Sequence, residues 1–98
     1  MDRKKVFHNK LLALEDGSYD VVYNKKRYLL SKETKLNSKL IKLYAKELGD
    51  NDFISLNYYT EKLLLKPCEM PEQKVIDFVV NLQLDKEHLW EKESIQKL

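Results

Sequence analysis

The stretch from Asp52 to Leu82, DFISLNYYTEKLLLKPCEMPEQKVIDFVVNL, narrows the folds open to this chain more than any other segment. Its first residues alternate, with Ile54, Leu56 and Tyr58 on one side and Phe53, Ser55, Asn57 and Tyr59 on the other. That is the period-two pattern of a strand with one buried face, and the first set should face the core. Thr60-Glu61-Lys62 turns the chain. Leu63 to Lys66 returns as a short strand whose pairing stops near Pro67, because proline has no amide hydrogen to give. Pro71 then suits the first turn of a helix and Glu72 complements its dipole. Val75, Phe78, Val79 and Leu82 line one side of that helix, widened by Ile76 and Val80, so it should cover the sheet.

Upstream, Val6, Phe7, Leu11 and Leu14 recur at helical spacing, with Leu12 alongside and Lys4, Lys5 and Lys10 elsewhere on the circumference. Asp2 can accept from the free amides of the first turn, and Glu15-Asp16-Gly17 ends the helix. Tyr19 to Tyr23 and Arg27 to Leu30 are β-branched and aromatic runs on either side of Asn24-Lys25-Lys26, which predicts a hairpin. Asn24 tolerates the positive φ of a tight turn, although Asn-Lys is a weaker turn signal than Asn-Gly.

Ser38 to Leu48 fits two periods. Leu40, Leu43, Tyr44 and Leu48 suit a helix, whose C-cap Gly49 would supply, while Ile41, Leu43 and Ala45 alternate with polar neighbours as in the third strand of a meander. The expected architecture is α+β: a four- or five-stranded antiparallel meander with an N-terminal helix and one or two C-terminal helices. A single domain over residues 1–98 would place the first helix at 1–15, the sheet at 19–67 and a helix at 70–82. Residues 85–98 would form a terminal helix or tail, since Asp85 is a good N-cap but Leu89, Trp90, Ile95 and Leu98 make a poor stripe.

With 43% hydrophobic and 35% charged residues, the chain has the composition of a folded protein with a modest core. One cysteine excludes an internal disulfide framework, and neither a secretory segment nor a membrane-spanning run is visible, so the expected location is cytoplasmic. The net charge of +2 hides an asymmetry: residues 1–46 carry 12 Lys or Arg against 5 acids, and residues 47–98 carry 6 against 11. A fold that kept these halves apart would present a basic and an acidic face, suited to an anionic partner or to self-association.

Two glycines, Gly17 and Gly49, are too few for a phosphate-binding loop. His8, His88 and Cys68 lack metal-ligand spacing, so no metal and no cofactor are expected, and both histidines read as surface residues. Cys68 precedes a helix N-terminus, where a thiolate gains from the helix dipole, but Glu69 opposes its ionisation and no histidine or second cysteine is near in sequence. It is the one catalytic candidate. The binding candidates are Lys42, Tyr44, Ser55, Asn57 and Tyr59. If Ser38 to Glu47 is a strand, Lys42 and Tyr44 point away from Ile41 and Leu43 and come to neighbour the polar side of the Asp52–Tyr59 strand. More broadly, Tyr23, Tyr28, Tyr44, Tyr58 and Tyr59 are interleaved with Lys25, Lys26, Arg27, Lys42 and Lys46, a mixture able to stack on bases and pair with phosphates.

At ELGDNDFISLNYY and LLKPCEMPEQKVIDF the chain resembles a group of short bacterial proteins that share a domain of unknown function, over about residues 19–82. The resemblance implies a strand for Ser38 to Glu47, following a Gly-Lys turn in place of Asn37-Ser38. Some such proteins carry the label methionine sulfoxide reductase, for which Cys68 would be the only nucleophile. This chain lacks the Gly-Cys-Phe-Trp motif of the A-type enzyme, the paired zinc cysteines of the B-type and any resolving cysteine.

The sequence therefore favours a non-enzymatic macromolecular-interaction module, using a polar aromatic sheet face or a charge-polarised surface, with a protein partner or self-association and no membrane. The alternatives are single-stranded nucleic-acid binding through the Tyr/Lys residues, which the sequence does not favour, and a thiol-dependent redox enzyme using Cys68.

Overall fold

The computed structural model describes residues 2–85. Helix α1 (Arg3–Ala13) leads into strands β1 (Gly17–Tyr23), β2 (Lys26–Lys35), β3 (Leu40–Glu47), β4 (Phe53–Tyr59) and β5 (Leu64–Pro67), then helix α2 (Glu72–Asn81) and strand β6 (Gln83–Leu84). All neighbours are antiparallel and the sheet order is β5-β4-β3-β2-β1-β6. The fold is α+β with an antiparallel sheet. Six strands stand where four or five were expected, because the chain leaving α2 returns to pair Gln83 and Leu84 with Val22 and Val21. Two residues are too few to show any period.

The ambiguous Ser38–Leu48 segment is strand β3, held between two partners. Leu40 to Glu47 pair with β2, and Leu40 to Lys46 pair with β4. Pairing on both sides supplies every backbone partner that a helix would have supplied internally.

Turns carry unusual backbone for the residues present. Asn24 and Lys25, at φ 54° and 65°, form the two-residue loop between Tyr23 and Lys26, the both-positive geometry that matches strand twist. Between β2 and β3, Leu36, Asn37 and Ser38 all have positive φ (55°, 54° and 70°), and the Lys39 amide donates to the Leu36 carbonyl at 3.1 Å. No glycine eases this loop.

Both helices lie on one face of the sheet. Val21, Tyr28, Leu30, Ile41, Leu43, Ala45, Ile54, Leu56 and Tyr58 point toward them and join Phe7, Leu11, Val75, Ile76, Phe78, Val79 and Leu82 in one core. Asp2 caps α1 by accepting from the Lys4 amide at 3.0 Å. Pro71 is the N-cap of α2 rather than part of its first turn, and its carbonyl accepts from the Lys74 amide at 3.1 Å. Neither helix ends in a left-handed glycine: the C-caps Leu14 and Leu82 are extended. Lysines meet the terminal carbonyls instead. Lys10 Nζ donates to Val80 O at 2.9 Å and Leu82 O at 2.7 Å, and the buried Lys32 Nζ donates to Leu14 O. Burial pushes both lysines below the ordinary ammonium range.

The other end of the helix layer is tied by carboxylates. Asp52 accepts from Tyr28 Oη at 2.7 Å and from Lys74 Nζ at 2.6 Å, while Asp77 accepts from Tyr23 Oη and from Arg3 at 2.9 Å. Burial and the hydrogen bond to Asp77 push Tyr23 up to about 12, and burial followed by the Asp52 bond raises Tyr28 as well. Burial alone would raise Asp52, but the bonds from Lys74 and Tyr28 outweigh it and hold the carboxyl below its ordinary value. Asp77 is held low chiefly by Tyr23.

Two outcomes follow. Ser38→Gly relieves a left-handed conformation that costs an L-residue roughly 1–2 kcal/mol, partly offset by the greater freedom of unfolded glycine. Urea unfolding should therefore show a gain of about 0.5–1 kcal/mol, and a loss would contradict the loop geometry. Because Asp52 and Asp77 lie below their ordinary value of 3.8, their contribution is complete above that pH and is lost as pH falls through the depressed values. Asp52→Asn should cost about 1–2 kcal/mol near neutrality and flatten the acid limb of a stability-versus-pH curve. An unchanged acid limb would show that Asp52 is not a source of it.

Candidate functional site

Among the described residues nothing covers the face of the sheet opposite the helices, and register decides which side chains meet there. Along one row, Ser18, Ser31, Tyr44 and Ser55 are cross-strand neighbours; along the next, Glu33, Lys42, Asn57 and Lys66; on the other flank, Asp20, Leu29, Lys46 and Phe53. Four of the five binding candidates thus form a compact square, Lys42 opposite Asn57 and Tyr44 opposite Ser55. Tyr59 lies on the same face, opposite Leu40 and beyond Asn57 along β4. A shallow depression of about 680 Å³ spans β1 to β4 here and reaches Cys68 just after β5, lined in part by Lys42, Tyr44, Ser55 and Asn57.

Pleat alternation, not chance, sorts the tyrosines. Tyr28 and Tyr58 are core residues and Tyr23 is tied to Asp77, all on the covered side. Tyr19 also packs against the core, so only Tyr44 and Tyr59 of the six strand tyrosines remain for the open face. Phe53 was not among the candidates, yet its ring stacks on Tyr44 with centroids 6.1 Å apart and planes 29° from parallel. Alternation already placed Phe53 on this side of β4; the missing piece was the Lys46–Phe53 register, which makes it diagonal to Tyr44. Tyr44 is 47% exposed and Leu29 42%, so the flank of the face is apolar as well as cationic.

Cys68 is exposed at the rim of the depression, its amide donating to Ser55 O at 3.0 Å to continue the β4–β5 ladder past Pro67. No histidine or second thiol joins it among the described residues, and no group of three His, Cys, Asp or Glu there could hold a metal. The arrangement offers stacking, hydrogen bonding and cation pairing, without the base and orienting group that nucleophilic catalysis needs.

One histidine differs from its expected surface role. His8 is half-buried, and its Nδ1 hydrogen-bonds Tyr58 Oη at 2.7 Å, at the floor of a groove between α1, α2 and β5 that also includes Phe7, Leu64, Leu65 and Ile76. Nothing in the local sequence signals this pair, which lies 50 residues apart. His88 and the expected terminal helix lie outside the described residues.

No helix among the described residues is long and apolar enough to cross a membrane. No family model, curated protein or solved structure matches the chain.

An exposed cysteine that only extends a ladder through its backbone should be replaceable. Cys68→Ser is expected to leave stability within about 0.5 kcal/mol. A thiol reagent should label Cys68 in the folded protein at a rate close to that in urea. Strong protection from labelling would place the side chain in an environment other than this rim.

Proposed function

We propose that this protein is a non-enzymatic macromolecular-interaction module that binds through the face of its sheet opposite the two helices, which no other described residue covers. The observation that carries this reading is one-sidedness: both helices pack on the same face, and the other presents Lys42, Tyr44, Phe53, Ser55, Asn57 and Tyr59 together on two adjacent strands. Aromatic residues at the centre of a contact, with polar groups around them, are the composition of binding surfaces rather than of ordinary solvated strands.

The charge asymmetry of the chain supports the same face. Acids of the second half, Glu47, Asp52 and Asp77, turn toward the covered side, where they meet Lys26, Lys74 and Arg3. Lysines of the first half, Lys42 and Lys46, stay on the open side. An exposed, unpaired thiol at Cys68 fits a reducing compartment, and we place the protein in the cytoplasm on that ground. The redox alternative finds no support around Cys68, where no second thiol could accept the disulfide that such a cycle must form.

A photo-crosslinking side chain introduced at Tyr44 and, as a control, at the exposed Gln73 on α2 tests the reading in living cells. Discrete high-mass adducts are expected from position 44 and not from position 73. Equal adduct patterns at both positions, or none at 44, would remove the open face as the contact surface.

A further inference from the structure

Three lysines on the open face have no partner among the described residues. Lys42 and Lys46 flank Tyr44 along β3, and Lys66 stands beyond Asn57 from Lys42. None of the three has a carboxylate within ion-pair distance among the described residues. Glu33, the acid nearest in register to Lys42, pairs with Lys35 at 3.4 Å instead. On the covered side, by contrast, Lys10, Lys32 and Lys74 are each engaged by carbonyls or a carboxylate. Cations without a carboxylate partner among the described residues leave a patch to which an anionic ligand can supply the complement.

Aromatic rings stand between those cations. The Tyr44–Phe53 stack is offset, with planes 29° from parallel, and its part-exposed rings offer apolar faces against which a further planar ring can pack. Ser31, Ser55 and Asn57 border the stack with donors and acceptors. Lys42 and Lys46, four residues apart on a strand, are separated by about 13 Å with Tyr44 midway. The ligand that fits is an extended polymer in which anionic groups alternate with flat rings. An acidic peptide would answer the lysines but not the stack, and a duplex keeps its base faces inside its own helix.

We propose that the open face binds single-stranded nucleic acid, with bases stacking on Tyr44 and Phe53 and phosphates paired to Lys42, Lys46 and Lys66. The proposal rests on the open face being the contact surface and names its partner. Three phosphate contacts predict that log affinity falls against log salt with a slope of about −2.

The test is fluorescence anisotropy of the full chain with labelled oligo-dT and oligo-U of about twelve nucleotides, a matched duplex, and heparin as competitor. Both single strands should bind more tightly than the duplex, with that salt slope. Tyr44→Ala and Phe53→Ala should each weaken binding about tenfold. Tyr44→Leu, which keeps apolar area but has no ring face, should weaken it similarly, and Lys46→Gln should reduce the slope by roughly 0.7. Circular-dichroism melting checks that each variant is folded, and the leucine variant keeps the result interpretable if an alanine variant is not. No retention of single strands at low ionic strength overturns the proposal. So does binding unaffected by the aromatic substitutions, which would mark a charge-only association of the kind heparin also makes. Protein adducts from position 44 without oligonucleotide binding would sink this partner and leave the broader reading of the face standing; absence of both would sink the two together.

Discussion

Two helix C-termini that end without glycine impose the central constraint on this fold. Leu14 and Leu82 leave the last carbonyls of α1 and α2 without the left-handed cap that would satisfy them locally, and lysines from other elements take over. Lys32 reaches from β2 to the end of α1, and Lys10 reaches from α1 to the end of α2. Lys74 then ties α2 to Asp52, which also receives Tyr28 from β2. The contacts form a closed circuit, sheet to first helix to second helix and back to sheet. Each link desolvates a charge, and burial of a charge is tolerated only where its partners are good. A circuit of this kind can exist only if both helices share one face.

The consequence for the other face is direct. Most polar groups that tie the helices to the sheet are drawn to the helix side, and the open side keeps cross-strand contacts such as Ser18 with Ser31 at 2.9 Å. An antiparallel sheet can leave one face to water, and the usual result is a solvated mixture of charges with local pairs. Here some pairs do form, such as Arg27 with Asp85 at 3.1 Å at the β6 edge and Glu33 with Lys35. The first lies at the edge and the second beside Lys42, while Tyr44 and Phe53 stand among lysines that have no carboxylate partner among the described residues.

Local sequence patterns reveal the elements of this structure better than their partnerships. Ile54, Leu56 and Tyr58 announce their strand because one face is buried and the other is not. Val75 to Leu82 announce their helix for the same reason. Ser38 to Leu48 satisfies both periods, and what decides in favour of strand is pairing with β2 and β4, an interaction between segments that no window of eleven residues contains. β6 is invisible for a related reason, since its two residues are a strand only because β1 has an edge to complete. The candidate site shows the same division. Alternation alone brings Lys42, Tyr44, Ser55 and Asn57 to one side once β3 is a strand, whereas Phe53 joins them through a diagonal contact and His8 meets Tyr58 across half the chain.

Edges explain why the face rather than the rim of the sheet is the surface to consider. An exposed strand edge pairs indiscriminately, and proteins blunt it with short strands, proline or lysine. β5 has four residues, carries Lys66 and ends in Pro67, which cannot donate; β6 has two residues and pairs with Val21 and Val22 toward the end of β1. With both edges made poor templates, main-chain pairing with another molecule is discouraged at the places where it would be least selective. On the proposed reading, recognition falls to side chains on the flat face, where Tyr44 and Phe53 set a ring geometry and the lysines around them set a charge spacing. Both are fixed by strand register, so a ligand of the proposed kind would be discriminated by how its own rings and charges alternate and not by its backbone.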